Sequence, residues 1–437
     1  MIIPNYFNFT RCILTFLLVF SFQVYGFSEI GIRFSETKYP YMSVSPTIEA
    51  MEKLNGQNLN TAVADFWKIC EQKGLPLIET SPLYEDYSYV TFIYRNTSKH
   101  SNVTLFIPGI YDEYRFGDMK MYQLKNTDLY YRSYLMPNDV CLSYRFDVKN
   151  ASGKVEKVLD TYNENRIPKG EERTYSYSVL DRSTYGIDWC EPMNHNSRST
   201  VDSFVYSSRI MNNQRDIYIY LPPDYDKSNQ KKYPVVYLFD AFVYMNRVEV
   251  PVVLDNLIAA GKIEPVIAVM LDNPTGTSRY TEYPLNNTFK EAIITEFIPL
   301  IREKYKVSLR PDETIIGGMS YGGLVAAYFA FYHPDLFGKV LSQSGSFWRD
   351  LDLKDTQGNE VRNDWLPKQF LQHEKKELTL FLDWGLQENM VLGANRNFIK
   401  ILNKKKYVYK YTEFNGWHNW ANTRRTFPIG LIFLLNK

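Results

Sequence analysis

The chain lacks an excess of charge of either sign, and beyond its first residues it lacks long apolar runs. Its 437 residues include 50 Lys and Arg against 49 Asp and Glu, which gives a formal net charge of +1. A nucleic-acid-binding protein normally has a basic excess, so this balance argues against that class. After residue 26 no apolar run reaches the roughly 18 residues of a membrane span, so we expect no stable membrane insertion of the mature chain.

Cysteine and histidine are also scarce, with 4 Cys and 5 His in the whole chain. Neither residue type forms a CxxC pair or a Cys/His cluster, so the sequence predicts no metal site. Three cysteines follow residue 26, which allows at most one internal disulfide and leaves its pairing open. They are Cys70, Cys141 and Cys190. A catalytic histidine must come from His100, His195, His333, His373 and His418.

Aromatic residues, in contrast, are abundant, with 35 Tyr, 27 Phe and 7 Trp. Hydrophobic residues make up 45% of the chain and charged residues 23%, which is typical of a folded protein and excludes a disordered one. Because aromatic side chains favour β structure, we interpret their number as packed strands rather than as an aromatic ligand surface. The length allows two or three domains.

The first 26 residues have the pattern of a secretory signal peptide. Arg11 precedes an apolar run from Cys12 to Phe22, and a small-x-small cleavage site ends at Gly26. The run has about the length of a signal-peptide core and is short for a membrane span. The sequence therefore predicts an exported protein, periplasmic or secreted, with an uncleaved N-terminal anchor as the alternative.

Residues 27–200 predict a small antiparallel β-sandwich domain with short leading helices. Ser45 and Pro46 read as an N-cap and a first helical residue, and a second helix runs from about Thr61 to Lys73. Short segments rich in Val, Tyr, Phe, Ile and Thr follow, separated by turn formers. Residues 150–200 are polar and irregular and are interpreted as a linker. The predicted strands are Tyr87–Tyr94, Asn102–Ile107, Asp128–Leu135 and Val140–Val148.

Residues 201–437 alternate strand and helix patterns, which predicts an α/β domain with a mostly parallel sheet and helices on both faces. Several of its strands contain continuous apolar runs, as expected of strands buried on both faces. The predicted strands are Asp216–Leu221, Tyr233–Phe239, Pro265–Leu271, Glu313–Gly317, Lys339–Ser342, Leu378–Asp383 and Lys406–Phe414. The predicted helices are Val252–Ala260, Phe289–Tyr305, Gly323–Tyr332 and Arg396–Asn403.

Gly318, Ser320 and Gly322 form a G-x-S-x-G motif between a predicted strand and a predicted helix. This is the setting of the nucleophile elbow of α/β-hydrolases, in which the turn is so sharp that side chains flanking the serine would clash. Ser320 then stands at a helix N-terminus, where partial positive charge stabilises a developing oxyanion. The alternative is a glycine-rich turn with an idle serine.

A serine nucleophile needs a base, and in this fold the acid and the histidine follow the serine along the chain. His333 ends the elbow helix, and His373 lies in a charged stretch typical of solvated surface. His418 lies in a loop at the end of an aromatic-rich strand, where catalytic groups collect. We therefore predict that His418 is the general base for Ser320.

The acid of the triad is expected in the loop after the strand that ends near Leu382. Asp383 lies close to the strand end, and Glu388 lies beyond the turn. We prefer Glu388 and keep Asp383 as the alternative. The role of the acid is to hold the imidazole tautomer and to stabilise the imidazolium.

The oxyanion hole needs two hydrogen-bond donors. One is the backbone N–H of Tyr321, directly after the nucleophile. The other is expected from the loop after the strand that ends at Phe239, where Ala241 or Phe242 offers an N–H. Of these two residues we choose Ala241.

Short segments in both halves of the chain match the pattern of one known family. In the second half they are residues 215–223, 238–240, 279–282, 317–323, 385–388 and 416–420, and in the first half residues 66–67, 74–79, 90–95 and 143–146. On these residues the chain resembles the enterochelin (enterobactin) esterase family of siderophore hydrolases. The first half is the more specific evidence, because it resembles an N-terminal sandwich domain that general esterases of the hydrolase fold lack. The chain departs from the pattern at Trp417, where a second glycine is commoner in the family.

The resemblance implies serine hydrolysis of the ester bonds in a cyclic triester of dihydroxybenzoyl-serine, with no cofactor and no catalytic metal. Iron then enters only with the substrate, a ferric or iron-free catecholate siderophore. The nucleophile, acid and base roles carry over to Ser320, Glu388 and His418. Arg279 and Glu282 match a family segment that we interpret as an Arg–Glu pair shaping the site.

An anionic ferric catecholate needs positive charge in its binding site, and several arginines are candidates for supplying it. We prefer Arg279 and Arg425, and the set also includes Arg396 and Arg424. Two other functions stay open. One is an exported feruloyl or acetyl esterase acting on polysaccharide, and the other is a siderophore-binding protein without activity. The intact serine, acid and histidine in the right chain order argue against the latter.

Overall fold

The computed structural model describes residues 45–436 apart from 83, 110–118, 168–176, 185–188, 192–198, 229 and 351–361. The predicted signal peptide, residues 1–26, lies outside this part of the chain. The described chain begins with helix α1 (Pro46–Glu52), where the Ser45 side chain accepts a hydrogen bond from the Ile48 amide. Helix α2 (Gly56–Lys73) follows and ends at Gly74, whose positive φ of 75° suits glycine.

Two antiparallel sheets follow the helices and face each other. The first sheet has the order β1-β2-β5-β4, and the second has the order β3-β6-β9-β8 with β7 paired to β6. Val90 and Tyr134 of the first sheet share one core with Leu105 and Phe146 of the second. The strands are β1 (Leu77–Thr80), β2 (Tyr87–Arg95), β3 (Asn102–Phe106), β4 (Tyr122–Gln123), β5 (Leu129–Pro137), β6 (Cys141–Lys149), β7 (Val155–Val158), β8 (Arg166–Ile167) and β9 (Tyr177–Asp181). We call this unit the sandwich domain.

The remaining strands form one eight-stranded sheet with the order β10-β11-β13-β12-β14-β15-β16-β17. β10 and β11 form an antiparallel hairpin, β11 pairs antiparallel with β13, and all further pairs are parallel. The parallel strands therefore end at one common edge. The strands are β10 (Thr200–Ser208), β11 (Asn213–Leu221), β12 (Val235–Phe239), β13 (Ile267–Leu271), β14 (Thr314–Met319), β15 (Lys339–Gln343), β16 (Thr379–Gly385) and β17 (Val408–Phe414).

Helices cover both faces of this sheet. In β12, Val235, Tyr237 and Phe239 belong to the core on one face, whereas Val236 and Leu238 belong to the core on the other. This double burial explains the continuous apolar run in the sequence. The helices are α3 (Ala241–Val243), α4 (Val250–Ala259), α5 (Arg279–Glu282), α6 (Asn287–Ala292), α7 (Ile298–Lys304), α8 (Tyr321–Tyr332), α9 (Trp365–Gln372), α10 (Asn389–Lys404) and α11 (Trp420–Leu435), with π-helical turns at Tyr244–Val248 and Ile293–Phe297 and a 3₁₀ turn at Pro311–Glu313.

The structure departs from the predicted elements in several places. The prediction of a linker at residues 150–200 is wrong, because β7, β8 and β9 of the sandwich domain lie there. β10 has no predicted counterpart because most of its side chains are exposed at the sheet edge and give no apolar alternation. α9 and α11 were also not predicted, and α10 begins at Asn389 rather than near Arg396. The predicted helix Phe289–Tyr305 is divided by the π-helical turn at Ile293–Phe297.

None of the helices in the described chain combines the length and the apolar character that a membrane span requires. The three cysteines that follow residue 26 are buried, and they form no disulfide with one another. Cys190 Sγ donates a hydrogen bond to the Val248 carbonyl at 3.5 Å.

Candidate active site

Ser320 occupies a strained turn between β14 and α8. Its φ of 61° and ψ of −119° lie outside the regions that L-residues normally adopt. A Cβ on Gly318 would lie 2.7 Å from the Gly322 carbonyl carbon, and one on Gly323 would lie 2.6 Å from Ser342 Oγ. Close approach therefore dictates both glycines. The backbone in this region matches the nucleophile elbow that the G-x-S-x-G motif predicts.

The Ser320 side chain is half-buried at the carboxyl edge of the sheet. Its Oγ lies 3.2 Å from Ser346 Oγ, in the loop after the neighbouring strand β15. Among the described residues, Ser320 Oγ has its side-chain hydrogen bond with Ser346 and not with His418. Catalytic hydrogen bonds are often long or poorly aligned until substrate binds. The absence of a Ser320–His418 hydrogen bond among the described residues is therefore compatible with a catalytic role for both side chains.

His418 and Glu388 form a hydrogen-bonded pair at the same edge. His418 Nδ1 lies 2.6 Å from Glu388 Oε2, and the Glu388 side chain is buried. Glu388 Oε1 also accepts hydrogen bonds from Ser344 Oγ at 2.8 Å and from the Gly385 amide at 2.7 Å. With Nδ1–H donated to the carboxylate, Nε2 of the imidazole is left as the proton acceptor.

Contacts between neighbouring loops bring this pair close to the nucleophile. Thr423 Oγ1, in the first turn of α11, lies 3.0 Å from the sulfur of Met319, the residue before Ser320. Ser344, which donates to Glu388, is two residues from Ser346, which contacts Ser320. The structure thus gathers Ser320, His418 and Glu388 at one edge of the sheet.

Asp383, the alternative acid, has different partners. Its carboxylate accepts hydrogen bonds from Gln343 Nε2 and from the Ser344 amide, each at 3.2 Å. The side chain is fully buried, and burial raises the pKa of Asp383 to about 7. The structure therefore places Glu388 on the histidine, whereas Asp383 supports the loop that follows β15.

The two expected oxyanion donors begin two adjacent helices. The amides of Tyr321 in α8 and Ala241 in α3 are at first helical positions, which have no partner within the helix. A Cβ on Gly322 would lie 3.4 Å from Asp240 Oδ2, so the two helix starts are neighbours. The amide of Phe242 donates to the Asp272 carboxylate, so of the two candidates on this loop Ala241 stays the predicted donor.

The predicted pairing of Arg279 with Glu282 is wrong. Arg279 instead forms a two-pronged ion pair with Asp240, with Nε to Oδ1 and Nη2 to Oδ2 both at 2.9 Å. Glu282 pairs with Arg215 at 2.9 and 3.0 Å. Asp240 is 2% exposed, and a carboxylate that deeply buried requires a cation and hydrogen bonds. The guanidinium that the sequence assigned to substrate is thus bound to the protein itself.

Asp240 has an unusual backbone that sets the position of the Ala241 amide. Its φ is 62°, in the left-handed region, and it precedes the first residue of α3. Besides Arg279, Asn273 Nδ2 donates to its carboxylate at 2.7 Å, and its own amide donates to Tyr283 Oη at 3.2 Å. Arg279 therefore supports the residue that precedes Ala241, the predicted oxyanion donor.

Replacing Arg279 by glutamine should lower kcat by about 10- to 100-fold with little change in KM, because a displaced oxyanion donor weakens transition-state binding alone. Steady-state hydrolysis of a small aryl ester measures both constants. Arg396→Gln is the matched control, since Arg396 pairs with Glu413 in a half-exposed ion pair. A raised KM with unchanged kcat would instead support the substrate-binding role predicted from the sequence.

The other candidate arginines are also held in ion pairs. Arg425 Nε lies 2.6 Å from Asp181 Oδ2 of the sandwich domain, and its side chain is 14% exposed. Arg424 pairs with Glu249, and Arg396 Nε lies 2.6 Å from Glu413. A substrate role for Arg425 remains a prediction.

Sequence reasoning missed two serines and an aromatic surface at the site. Ser344 and Ser346 contact the acid and the nucleophile, and the signal that could have found them is the serine-rich end of a strand beside the elbow. The Tyr321 ring lies 6.2 Å from the rings of both Tyr280 and Trp348, and the Arg349 guanidinium lies 5.8 Å from the Tyr321 centroid. Aromatic rings and arginine therefore adjoin the nucleophile.

Residues 208–434 match the sequence profile of a family described as "Putative esterase", and residues 89–200 match one described as "Enterochelin esterase, N-terminal". The chain is 29% identical over 231 residues to the iron(III) enterobactin esterase of Escherichia coli K12, covering 53% of this chain and 56% of that protein. It is 24% identical over 391 residues to the iron(III) salmochelin esterase of Escherichia coli O6:H1, covering 85% and 93%. The chain spans little more than half the length of the first of these relatives.

Solved structures show the same architecture. The crystal structure of a ferric enterobactin esterase from Salmonella typhimurium matches with a TM-score of 0.71 at 21% identity, covering 85% of this chain and 98% of that one. At this identity the likeness concerns the fold. The predicted fold class, an α/β-hydrolase domain preceded by an antiparallel sandwich, is confirmed.

Proposed function

Because this chain belongs to the esterase family that its residues 208–434 match, we propose that it is a serine esterase that hydrolyses the ester bonds of a catecholate siderophore and so helps to release iron. The observation that carries the catalytic part is the 2.6 Å pair of His418 and Glu388 at the sheet edge that bears the Ser320 elbow. The specificity rests on the N-terminal match to enterochelin esterases over residues 89–200.

The mechanism is a two-step acyl transfer. Ser320 Oγ attacks the ester carbonyl while His418 Nε2 accepts the hydroxyl proton, and Glu388 stabilises the imidazolium through Nδ1–H. The amides of Tyr321 and Ala241 bind the tetrahedral oxyanion. The tetrahedral intermediate then collapses, and His418 protonates the departing serine oxygen of the substrate as its bond to the carbonyl carbon breaks. Water, activated by the same imidazole, releases the acyl group and restores Ser320.

The surface beside the nucleophile has the chemistry that a catecholate requires. A catecholate combines flat rings with negative charge, and here the exposed Tyr280 ring packs on the Tyr321 ring, whose centroid lies 5.8 Å from the buried guanidinium of Arg349. Rings stack on tyrosine, and arginine compensates the charge. Iron is cargo of the substrate in this scheme, and the protein side chains perform the chemistry.

The reaction takes place outside the cytoplasm in this proposal. The basis is the N-terminal pattern of Arg11 followed by the apolar run that ends at Phe22. The leader is removed at about Gly26, and the mature enzyme acts in the periplasm or is secreted.

Mass analysis of products tests the proposed substrate. The mature protein is incubated with ferric enterobactin and with the iron-free compound, and Ser320→Ala serves as the control. We expect linear trimer, dimer or monomer of dihydroxybenzoyl-serine with the native protein and none with the variant. An intact trilactone together with turnover of feruloyl or acetyl esters would replace the siderophore by a polysaccharide ester. Tight retention of the siderophore without cleavage of any ester would indicate a binding protein.

A further inference from the structure

The loop that carries His418, residues 415–419, is bound by the sandwich domain. We call it the His418 loop. The Cys141 amide of β6 donates to the Asn415 carbonyl at 3.2 Å, and Asn415 Nδ2 donates to Asp139 Oδ1 at 2.6 Å. Cys141 and Gly416 form a parallel β-bridge. The loop therefore continues the hydrogen bonding of a sheet in the other domain.

Trp417 anchors the same loop through packing. Its side chain is 4% exposed and belongs to the core of the sandwich domain, whose other members all lie between Val90 and Leu180. Trp417 is also the residue at which the sequence departs from the double glycine of the resembling family. A large ring replaces a position without a side chain, and the ring is inserted into the neighbouring domain.

Gly109 brings the sandwich domain into contact with the histidine itself. Its φ is 85°, and a Cβ at this position would lie 2.0 Å from the carbonyl oxygen of His418 and 3.0 Å from its Cα. The backbone of Gly109 thus packs directly on the backbone of His418, with no space for a side chain between them. A shift of this glycine would move the residue that carries the imidazole.

The domain built on the eight-stranded sheet contacts the opposite side of the loop. The Gln387 amide donates to the Gly416 carbonyl at 3.2 Å, and a Cβ on Gly385 would lie 2.2 Å from the same oxygen. Gln387 and Gly385 belong to the turn that contains Glu388. The distance between the imidazole and Glu388 therefore depends on contacts from both domains.

We propose that the sandwich domain positions the general base, with Gly109, Asp139 and Trp417 as positioning residues for His418. This inference rests on the proposed serine esterase function. The domain then acts on kcat for every ester, including substrates too small to reach it, and not solely on the binding of a large siderophore. Misplacement of a catalytic group by about 1 Å can cost about 100-fold in rate.

A pair of matched glycine variants tests the proposal. Gly109→Ala adds a Cβ against the His418 carbonyl, whereas Gly153→Ala adds one at φ 84° in the same domain with nothing closer than 3.7 Å. Both substitutions place alanine at nearly the same positive φ. We expect Gly109→Ala to lower kcat for p-nitrophenyl acetate by about 100-fold with little change in KM, and Gly153→Ala to leave it unchanged. Equal kcat in the two variants would overturn the proposal.

A double variant separates positioning of the base from loss of folding. In a His418→Ala background, Gly109→Ala should have no further effect on residual hydrolysis, since the group it displaces is gone. A loss that persists there would mean that the substitution acts through stability. Asp139→Ala removes the bond to Asn415 without adding atoms and should lower kcat in the same direction. If the native protein hydrolyses no ester, the serine esterase function fails first, which is a different result.

Discussion

Replacing Ser320 by alanine should lower kcat for ester hydrolysis by about 10⁴- to 10⁶-fold. The triad acts as a unit, so removal of the nucleophile leaves just the contribution of the oxyanion donors and of substrate binding. Hydrolysis of an aryl ester by native protein and variant gives the ratio. Mass analysis of the native protein after brief exposure to a slow ester should place the acyl group on the peptide that contains Ser320.

Ser346→Ala is the matched control for this loss. Its Oγ lies 3.2 Å from Ser320 Oγ, so it removes a serine from the same place without removing the nucleophile. Loss of one hydrogen bond of about 1 kcal/mol corresponds to a change of less than about tenfold. Near-native activity in Ser320→Ala, or a greater loss in Ser346→Ala, would refute the assignment of the nucleophile.

Replacing Glu388 by glutamine should lower kcat by about 10³- to 10⁴-fold. Glutamine keeps the shape of the side chain but lacks the charge, and its amide can donate to Nδ1, which selects the wrong imidazole tautomer. The Ser344 hydroxyl and the Gly385 amide, which both donate to Oε1, favour the amide oxygen there and turn the NH₂ group toward His418. Steady-state kinetics with an aryl ester measure the loss.

Asp383→Asn is the control that decides between the two carboxylates, and we expect its kcat to stay within about tenfold of native. Asp383 has its hydrogen bonds to Gln343 and Ser344 rather than to His418. A loss in Asp383→Asn as large as that in Glu388→Gln would contradict the assignment of the acid.

Asp383→Asn should also change how the free energy of unfolding depends on pH. Burial raises the pKa of Asp383 from 3.8 to about 7, so between about pH 4 and 7 the folded state retains a proton that the unfolded state releases. The stabilisation from this group is present at low pH and is lost as the pH rises through 7. Asparagine does not titrate, so Asp383→Asn should gain stability relative to native as the pH rises. Denaturant unfolding at about pH 4.5 and 8 measures the difference.

The strands β11–β17 and the elbow could be predicted because their causes are local. The strand ending at Phe239 is hydrophobic and buried at every position. Near Ser320, a Cβ on Gly318 or Gly323 would lie less than 3.0 Å from a neighbouring atom, so both positions require glycine. Helix α11 was missed because Pro428 lies inside it and its side chains are buried on several sides, so no polar face marks it. Periodicity identifies an element that has one exposed face, and it misses an element that has none.

The partners of charged side chains could not be predicted, because they depend on chain segments far apart in sequence. Arg279 and Glu282 lie three residues apart, yet each pairs with a residue of another strand or loop, Asp240 or Arg215. Asp383 lies in β16 and Glu388 lies in the turn that follows it, and only Glu388 of these two contacts His418. For the acid, the sequence narrowed the choice to two carboxylates, and for Arg279 it gave the wrong partner; in both cases the pairing depends on tertiary contacts.

The insertion of Trp417 into the sandwich core also has a consequence for how the chain folds. The other members of that core lie between residues 90 and 180, so the N-terminal domain cannot complete its interior until nearly the whole polypeptide has been synthesised. Contacts of such large sequence separation form late, so the core of the sandwich domain stays incomplete until Trp417 is inserted. Unfolding of the two domains should accordingly be coupled in a single transition, and a chain cut short before residue 417 should leave a cavity in a domain far from the truncation.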